Sequence, residues 1–234
     1  LKVPELDIST NIFLENIDNF KIFKGIINLE VLNNFFQFNF IKEKKITISK
    51  GFIRGNLINS SFEGDISFRP YFLFNLDIKP SSFDIKKLVS IIKKIYFTEN
   101  FNAIEIIKKI DGSLNFKDSV KGRIIFKNRE IELKNFELDK EKKIFLNAEI
   151  LEFGKKGKMQ FNLINNVKKI NITGIVIPSS LKINFEKIMF EDKIFSPSDV
   201  KKYEKKFKNE VLQNSLVNIL SEVKLNNFFK NFKD

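Results

Sequence analysis

Cysteine, histidine and tryptophan are all absent from this 234-residue chain, and each absence removes a class of chemistry. Without Cys there is no disulfide framework and no thiolate to act as nucleophile or metal ligand, which fits a reducing compartment or a periplasmic protein that avoids thiols. Without His the commonest general base is gone, so the serines have no imidazole to activate them. A zinc or iron site would rest on carboxylates alone, and no Asp/Glu cluster has EF-hand or two-metal spacing. Acids such as Glu130 and Glu132 fall on the polar side of a strand, where solvated charge is the ordinary reading. No catalytic residue, metal site or cofactor is therefore expected, and the chain reads as a non-enzyme. Long apolar runs are missing too: no stretch reaches the 18 residues of a membrane-spanning helix, and no signal peptide is visible. The chain opens at Leu1 in mid-pattern, as a piece of a longer protein would.

Arginine is scarce. The formal charge of +12 comes almost entirely from Lys, with Arg at positions 54, 69, 123 and 129 only. Base reading leans on Arg, and abundant Lys, Asn, Ile and Phe together are what an AT-rich coding sequence produces, so no nucleic-acid partner is expected. Gly154-Lys155-Lys156-Gly157-Lys158 lacks the spacing of a phosphate loop and lies between two strands, where a basic hairpin turn is the simpler reading. Lys121-Gly122-Arg123-Ile124-Ile125-Phe126 starts like an RNA-recognition strand but lacks its second small residue and its aromatic.

Phenylalanine, by contrast, is present 28 times against 3 Tyr, so the apolar surface is built from side chains without a polar handle. Its arrangement is periodic. From Ile66 to Ile78 every even position is apolar (Ile66, Phe68, Pro70, Phe72, Phe74, Leu76, Ile78), and the same two-residue beat recurs down the chain. Strict alternation gives strands with one apolar and one solvated face. Strands are expected over 6–14, 25–31, 36–40, 46–48, 51–57, a long one over 64–78, then 114–116, 122–126, 131–138, 144–151, 159–163, 170–177 and 181–185. This is the spacing of an antiparallel meander. The parity flips between Leu133 and Phe136, and between Ile172 and Ile175 around Gly174, which predicts bulges and hence twist and curvature. Gly112, Gly122, Gly154 and Gly157 are expected between strands, with Pro80 and Pro178 after strand ends.

Two stretches break the beat. Ile85, Leu88, Val89, Ile91, Ile92 and Ile95 recur at helical spacing behind Ser82 or Asp84, and residues 102–109 could form a second, shorter helix. Ser196, Pro197 and Asp199 read as an N-cap, a first-turn proline and an acidic first turn. They open a long helix carrying Val200, Tyr203, Phe207, Val211, Leu212, Leu216, Ile219, Leu220 and Val223, which fades into a Phe/Lys tail over 228–234. The expected fold is mainly β: a long curled antiparallel sheet, groove-like, with one internal amphipathic helix near 83–95 and a long C-terminal helix. The expected division is a β-groove domain over 1–195 and a C-terminal helix and tail over 196–234. Periodicity alone leaves open whether the apolar face is a groove or is packed by other parts of the chain.

The repeated Gly-x-[Ile/Leu]-x-Phe strand openings carry a resemblance. These are Gly64-Asp-Ile-Ser-Phe68 running into Pro70 to Ile78, and Gly112-Ser-Leu-Asn-Phe116. With Phe136-Glu-Leu-Asp139, Gly174-Ile-Val-Ile-Pro178 and the closing helix with Tyr203-Glu204 and Phe207, the chain resembles the C-terminal region of AsmA-like proteins, cell-envelope relatives of TamB and of the chorein-type bridge lipid-transfer proteins. The resemblance is one of pattern and spans nearly the whole chain. It implies non-enzymatic lipid transport in outer-membrane biogenesis, with phospholipid acyl chains shielded in a hydrophobic β-groove between the inner and outer membranes. It implies a periplasmic protein anchored in the inner membrane through a part of the chain not present here. The lipid-binding candidates are Phe36, Phe38, Phe40, Ile66, Phe68, Phe72, Phe74, Leu76, Leu114, Phe116, Ile124 and Phe126. The alternative is an envelope scaffold with a packed β-core and no lipid, whose C-terminal helix offers an apolar face to a protein partner.

Overall fold

The computed structural model describes residues 2–3, 8–18, 22–31, 34–68, 72–84, 87, 110–118, 120–127, 130–141, 143–152, 157–177, 180–213, 215, 218–219 and 221–232. It is mainly β, and the chain divides into two compact units, one over Leu1–Ile85 and Ile107–Arg129, the other over Lys86–Ile106 and Glu130–Asp234.

The first unit is a sheet whose strands follow chain order: β1 (Lys2–Val3), β2 (Ile8–Asp18), β3 (Ile22–Val31), β4 (Asn34–Lys42), β5 (Ile46–Gly55), β6 (Ile58–Ser67), β7 (Phe72–Phe83), β8 (Ile110–Phe116) and β9 (Gly122–Lys127). Every neighbouring pair is antiparallel except β7 and β8, which run parallel with Leu76 opposite Leu114. Parallel neighbours cannot be joined by a tight hairpin turn. The internal helix expected near 83–95 and the shorter one over 102–109 lie outside the described residues, apart from helical, exposed Lys87.

Three expectations are corrected here. The single long strand over 64–78 is a hairpin: Ile66 faces Phe74, Gly64 faces Leu76 and Phe62 faces Ile78. Even positions stand opposite even positions, so the alternation passes through the hairpin without a change of phase and cannot reveal it. The strands expected over 46–48 and 51–57 are instead one strand, β5, interrupted by a register shift between Ile48 and Gly51, where Lys50 has φ 49°. Such a bulge moves the apolar set from even to odd positions and mimics a strand boundary. Gly112 and Pro80, expected in connections, lie inside β8 and β7, Pro80 next to a register irregularity that tolerates its missing N–H.

The second unit is an antiparallel meander of β10 (Glu130–Asp139), β11 (Ile144–Glu152), β12 (Lys158–Asn165), β13 (Ile170–Ile177), β14 (Lys182–Phe190) and β15 (Lys193–Ile194). The bulge between Leu133 and Phe136 is present, with Asn135 at φ 52°. The second expected bulge occurs at the level of Gly174 but on the facing strand. β13 keeps Ile170, Ile172, Gly174 and Val176 on the buried side throughout, while β14 switches from Phe185 to Ile188.

Helix α1 (Pro197–Phe207) starts as its sequence dictates, Ser196 Oγ accepting from Asp199 N at 3.2 Å. The expected long helix does not continue to Val223. A π-helical turn (Lys208–Leu212) ends at Gln213 in left-handed conformation, and a separate helix α2 (Glu222–Phe229) follows. Apolar residues keep helical spacing across this break, which hides it from periodicity, yet Val223 is 68% exposed. The expected tail is core instead: Phe228, Phe229 and Phe232 are buried with Phe207, Val211, Leu212 and Leu225 against Ile144, Leu163, Ile172 and Ile188 of the sheet. Glu204 Oε2 accepts from Phe185 N at the β14 bulge (2.8 Å), and the buried Asp139 accepts from Asn226 Nδ2 (2.8 Å), tying both helices to the sheet.

Candidate functional site: the apolar face of the first unit

Residues paired across neighbouring strands share a face, so the register carries a single face from strand to strand. Phe40 stands opposite Gly25 and Ile48, Ile48 opposite Gly64, and Gly64 opposite Leu76. Leu76 stands opposite Leu114, and Leu114 opposite Ile124. The sequence-predicted residues all fall on this one face: Phe36, Phe38 and Phe40 on β4; Ile66 on β6; Phe72, Phe74 and Leu76 on β7; Leu114 and Phe116 on β8; Ile124 and Phe126 on β9. Phe68, one residue past β6, joins them through ring contact with Phe72 at 5.5 Å. A continuous line of rings then runs from Phe72 to Phe74 (5.9 Å) and from Phe74 to Phe126 (5.6 Å).

Their exposure differs. Phe38, Phe40, Phe116 and Ile124 are buried; Phe36, Ile66, Phe72, Phe74, Leu76, Leu114 and Phe126 are half-buried; Phe68 is 58% exposed. The reading of the sequence missed Ile48, Ile53, Ile58, Phe62 and Ile78, which lie on the same face and are buried. Ile48 and Ile53 were hidden by the parity change at Lys50. Ile58 and Phe62 had a signal, the even beat that already runs from 58 into Ile66.

Glycine punctuates this face, often beside an aromatic. Gly25 pairs with Phe40, Gly51 with Phe62, and Gly112 with Phe74. A Cβ on Gly51 or Gly112 would come within 2.8 Å of the facing ring. The ring thus lies over the neighbouring backbone, covering the surface that a side chain would have filled. Gly64 and Gly112 also have φ of 149°, a conformation essentially reserved for glycine.

The opposite face of the same strands carries polar residues paired in cross-strand ladders alongside exposed apolar ones, Phe35 and Ile41 among them, with Phe35 in ring contact with Phe52 at 6.2 Å. Lys79 bridges Glu63 (3.1 Å), Lys45 bridges Asp65 (2.9 Å), and Lys117 bridges Asp77 (2.6 Å), which also accepts from Asn115 (3.0 Å). The Lys117 ammonium beside it holds the Asp77 carboxyl below its ordinary value, against a smaller opposing effect of burial. Lys45, Lys79 and Lys117 are thus taken up by ion pairs within this face. Among the described residues no group of three or more His, Cys, Asp or Glu could hold a metal, and no helix is long and apolar enough to cross a membrane.

The second unit handles its apolar face differently. Every side chain in the molecule under 2% exposed among the described residues belongs to it, because α1, the π-helical turn and α2 cover its sheet. Of the apolar stripe expected on the C-terminal helix, Val200, Phe207, Val211 and Leu212 belong to this core, and Val223 is exposed. Burial raises the pKa of Tyr203, whose ring stacks on Phe232 at 4.2 Å. In the first unit, no described helix packs on the apolar face. What the fold defines is a mainly β protein with two units, one whose apolar face is covered by its own helices and one whose apolar face is, among the described residues, buried to half-buried apart from exposed Phe68. No family model, curated protein or solved structure matches the chain.

Proposed function

We propose that the apolar face of the first unit binds phospholipid acyl chains, and that the protein is an AsmA-like lipid-transfer component of the cell envelope, periplasmic and held at the inner membrane. One observation carries the reading. The aromatic and aliphatic residues from Phe36 to Phe126 share one face of a single sheet, with Phe36, Ile66, Phe72, Phe74, Leu76, Leu114 and Phe126 half-buried and Phe68 exposed, while the described helices are used in the core of the second unit. Bulges in β5 and glycines facing aromatic rings favour a curled sheet, the shape that a groove needs.

The energetics suit the task. Exposing an acyl chain costs about 0.8 kcal/mol per methylene, so some fifteen carbons forfeit roughly 12 kcal/mol in water. An apolar track removes most of that cost at each step and needs no catalyst. Head groups would remain in solvent. The sealed second unit favours a purely structural role for that half, which is the scaffold reading confined to residues 130–234.

Native mass spectrometry of the protein purified from membranes tests the proposal. Co-purifying phospholipid is expected, and Phe72→Asp or Phe74→Asp should remove it while leaving the far-UV circular dichroism nearly intact. Lipid-free protein, or unfolding by either substitution, would favour a packed face without ligand.

A further inference from the structure

The apolar face of the first unit is covered unevenly along its strands. At the end where β5 turns into β6, Ile53, Ile58, Ser60, Ile78 and Phe116 are all buried. At the other end, where β4 turns into β5 and β6 finishes, Ile46, Ile66, Phe72 and Phe126 are only half-buried and Phe68 is 58% exposed. Phe36 and Phe83 at the first end are half-buried and Phe40 and Ile48 near the second are buried, so the difference lies in the outermost residues, which are more open at the second rim.

The open rim is also basic. Lys42 stands opposite Phe23 and Ile46, on the same face as the aromatics, with its Nζ donating to the Glu43 carbonyl. Lys44 is exposed in the turn, and Lys45 is drawn to the other face by Asp65 at 2.9 Å. Across 42–45 three lysines face the single acid Glu43. β4 and β6 are two strand spacings apart, roughly 10 Å, so Lys42 and Phe68 belong to one rim. A large exposed aromatic beside lysines with apolar stems is the combination that settles at a membrane interface, the ring among the upper acyl carbons and the ammonium groups among phosphates.

We propose that this rim docks on an anionic phospholipid bilayer, with Phe68 inserted at the interface and Lys42 and Lys44 meeting lipid phosphates. The proposal rests on the acyl-chain reading of the same face, since the open rim is where a chain leaving the bilayer would first touch apolar surface. The basic excess of the whole chain, +12, supplies the long-range attraction to such a surface.

The test is co-sedimentation of the full chain with phosphatidylcholine vesicles, with and without phosphatidylglycerol, alongside Nile red fluorescence as a neutral probe of the apolar face. Binding is expected only with phosphatidylglycerol and should weaken as salt is raised. A Lys42→Ala/Lys44→Ala variant should bind about twenty-five-fold more weakly, about fivefold per lysine, with Nile red binding unchanged. Phe68→Ser should weaken vesicle binding while preserving the salt dependence. Vesicle binding equal to wild type in both variants would overturn the proposal, as would equal binding to neutral vesicles. A concentration-dependent dimer that Phe68→Ser dissolves would overturn it too, assigning the rim to a second copy of the chain. Failure of the wild type to bind Nile red while still docking on anionic vesicles would sink the acyl-chain reading and leave the docking supported.

Discussion

Gly112 on β8 stands directly opposite Phe74 on β7, and a Cβ built on the glycine would lie 2.1 Å from the Phe74 carbonyl oxygen and 2.8 Å from its ring. With φ at 149°, the position is closed to other residues both by space and by backbone conformation. Gly112→Ala is expected to destabilise the first unit by about 2 kcal/mol or more, measured by urea denaturation. An effect below about 0.5 kcal/mol would show that strand and ring move apart cheaply.

The two apolar faces should respond differently to truncation. Phe207 and Phe228 are enclosed and in edge-to-face contact at 4.9 Å, so either Phe→Ala change should cost about 3–5 kcal/mol. Phe72, half-buried and touching Phe68 and Phe74, has less to lose, and Phe72→Ala should cost about 1 kcal/mol. Equal losses in the two units, read from denaturant midpoints at constant slope, would contradict an open face in the first.

Helix α1 depends on its cap. Ser196→Ala removes the acceptor for Asp199 N and should lower stability by about 1 kcal/mol, with Ser196→Asp restoring most of it. Thermal unfolding of the three proteins side by side distinguishes the capping role from a general intolerance of change at that site.

Asp77 links stability to acid. Its folded-state pKa is depressed, chiefly by Lys117, so its contribution is present above the unfolded carboxyl pKa, about 3.9, and disappears as pH falls through the lower folded value. Asp77→Asn should therefore flatten the loss of stability below about pH 4. Lys117 is half-exposed to solvent, so the effect should be under about 1 kcal/mol and shrink in high salt. An unchanged acid limb in the variant would assign that part of the pH dependence to other carboxylates.

Most of the sheet was legible in the sequence because one face of each strand is apolar and the beat of two survives translation into structure. What could not be read were events that leave the beat intact or imitate its end. The hairpin between Ile66 and Phe74 preserves parity and so appears as one strand, whereas the bulge at Lys50 reverses parity and so appears as two. In the C-terminal segment, Gln213 breaks the helix by a backbone choice that no apolar spacing records, and Phe228, Phe229 and Phe232 look like a ragged tail because their covering strands are distant in sequence. That the twelve candidate residues share a side follows from parity alone. The exposure along it could not be foreseen, because coverage depends on which element lies over each position.

The carboxylate of Glu204 on the Phe185 amide has a consequence for how the molecule behaves in a crowd. Beyond β14 the sheet offers only the two residues of β15, leaving the last long strand a natural template for fibril growth in a chain so rich in Ile and Phe. With α1 packed beside that strand and an acid occupying one of its amides, an incoming β-strand meets a negative charge where it would need a free donor, so polymerisation from this margin is discouraged in the native state.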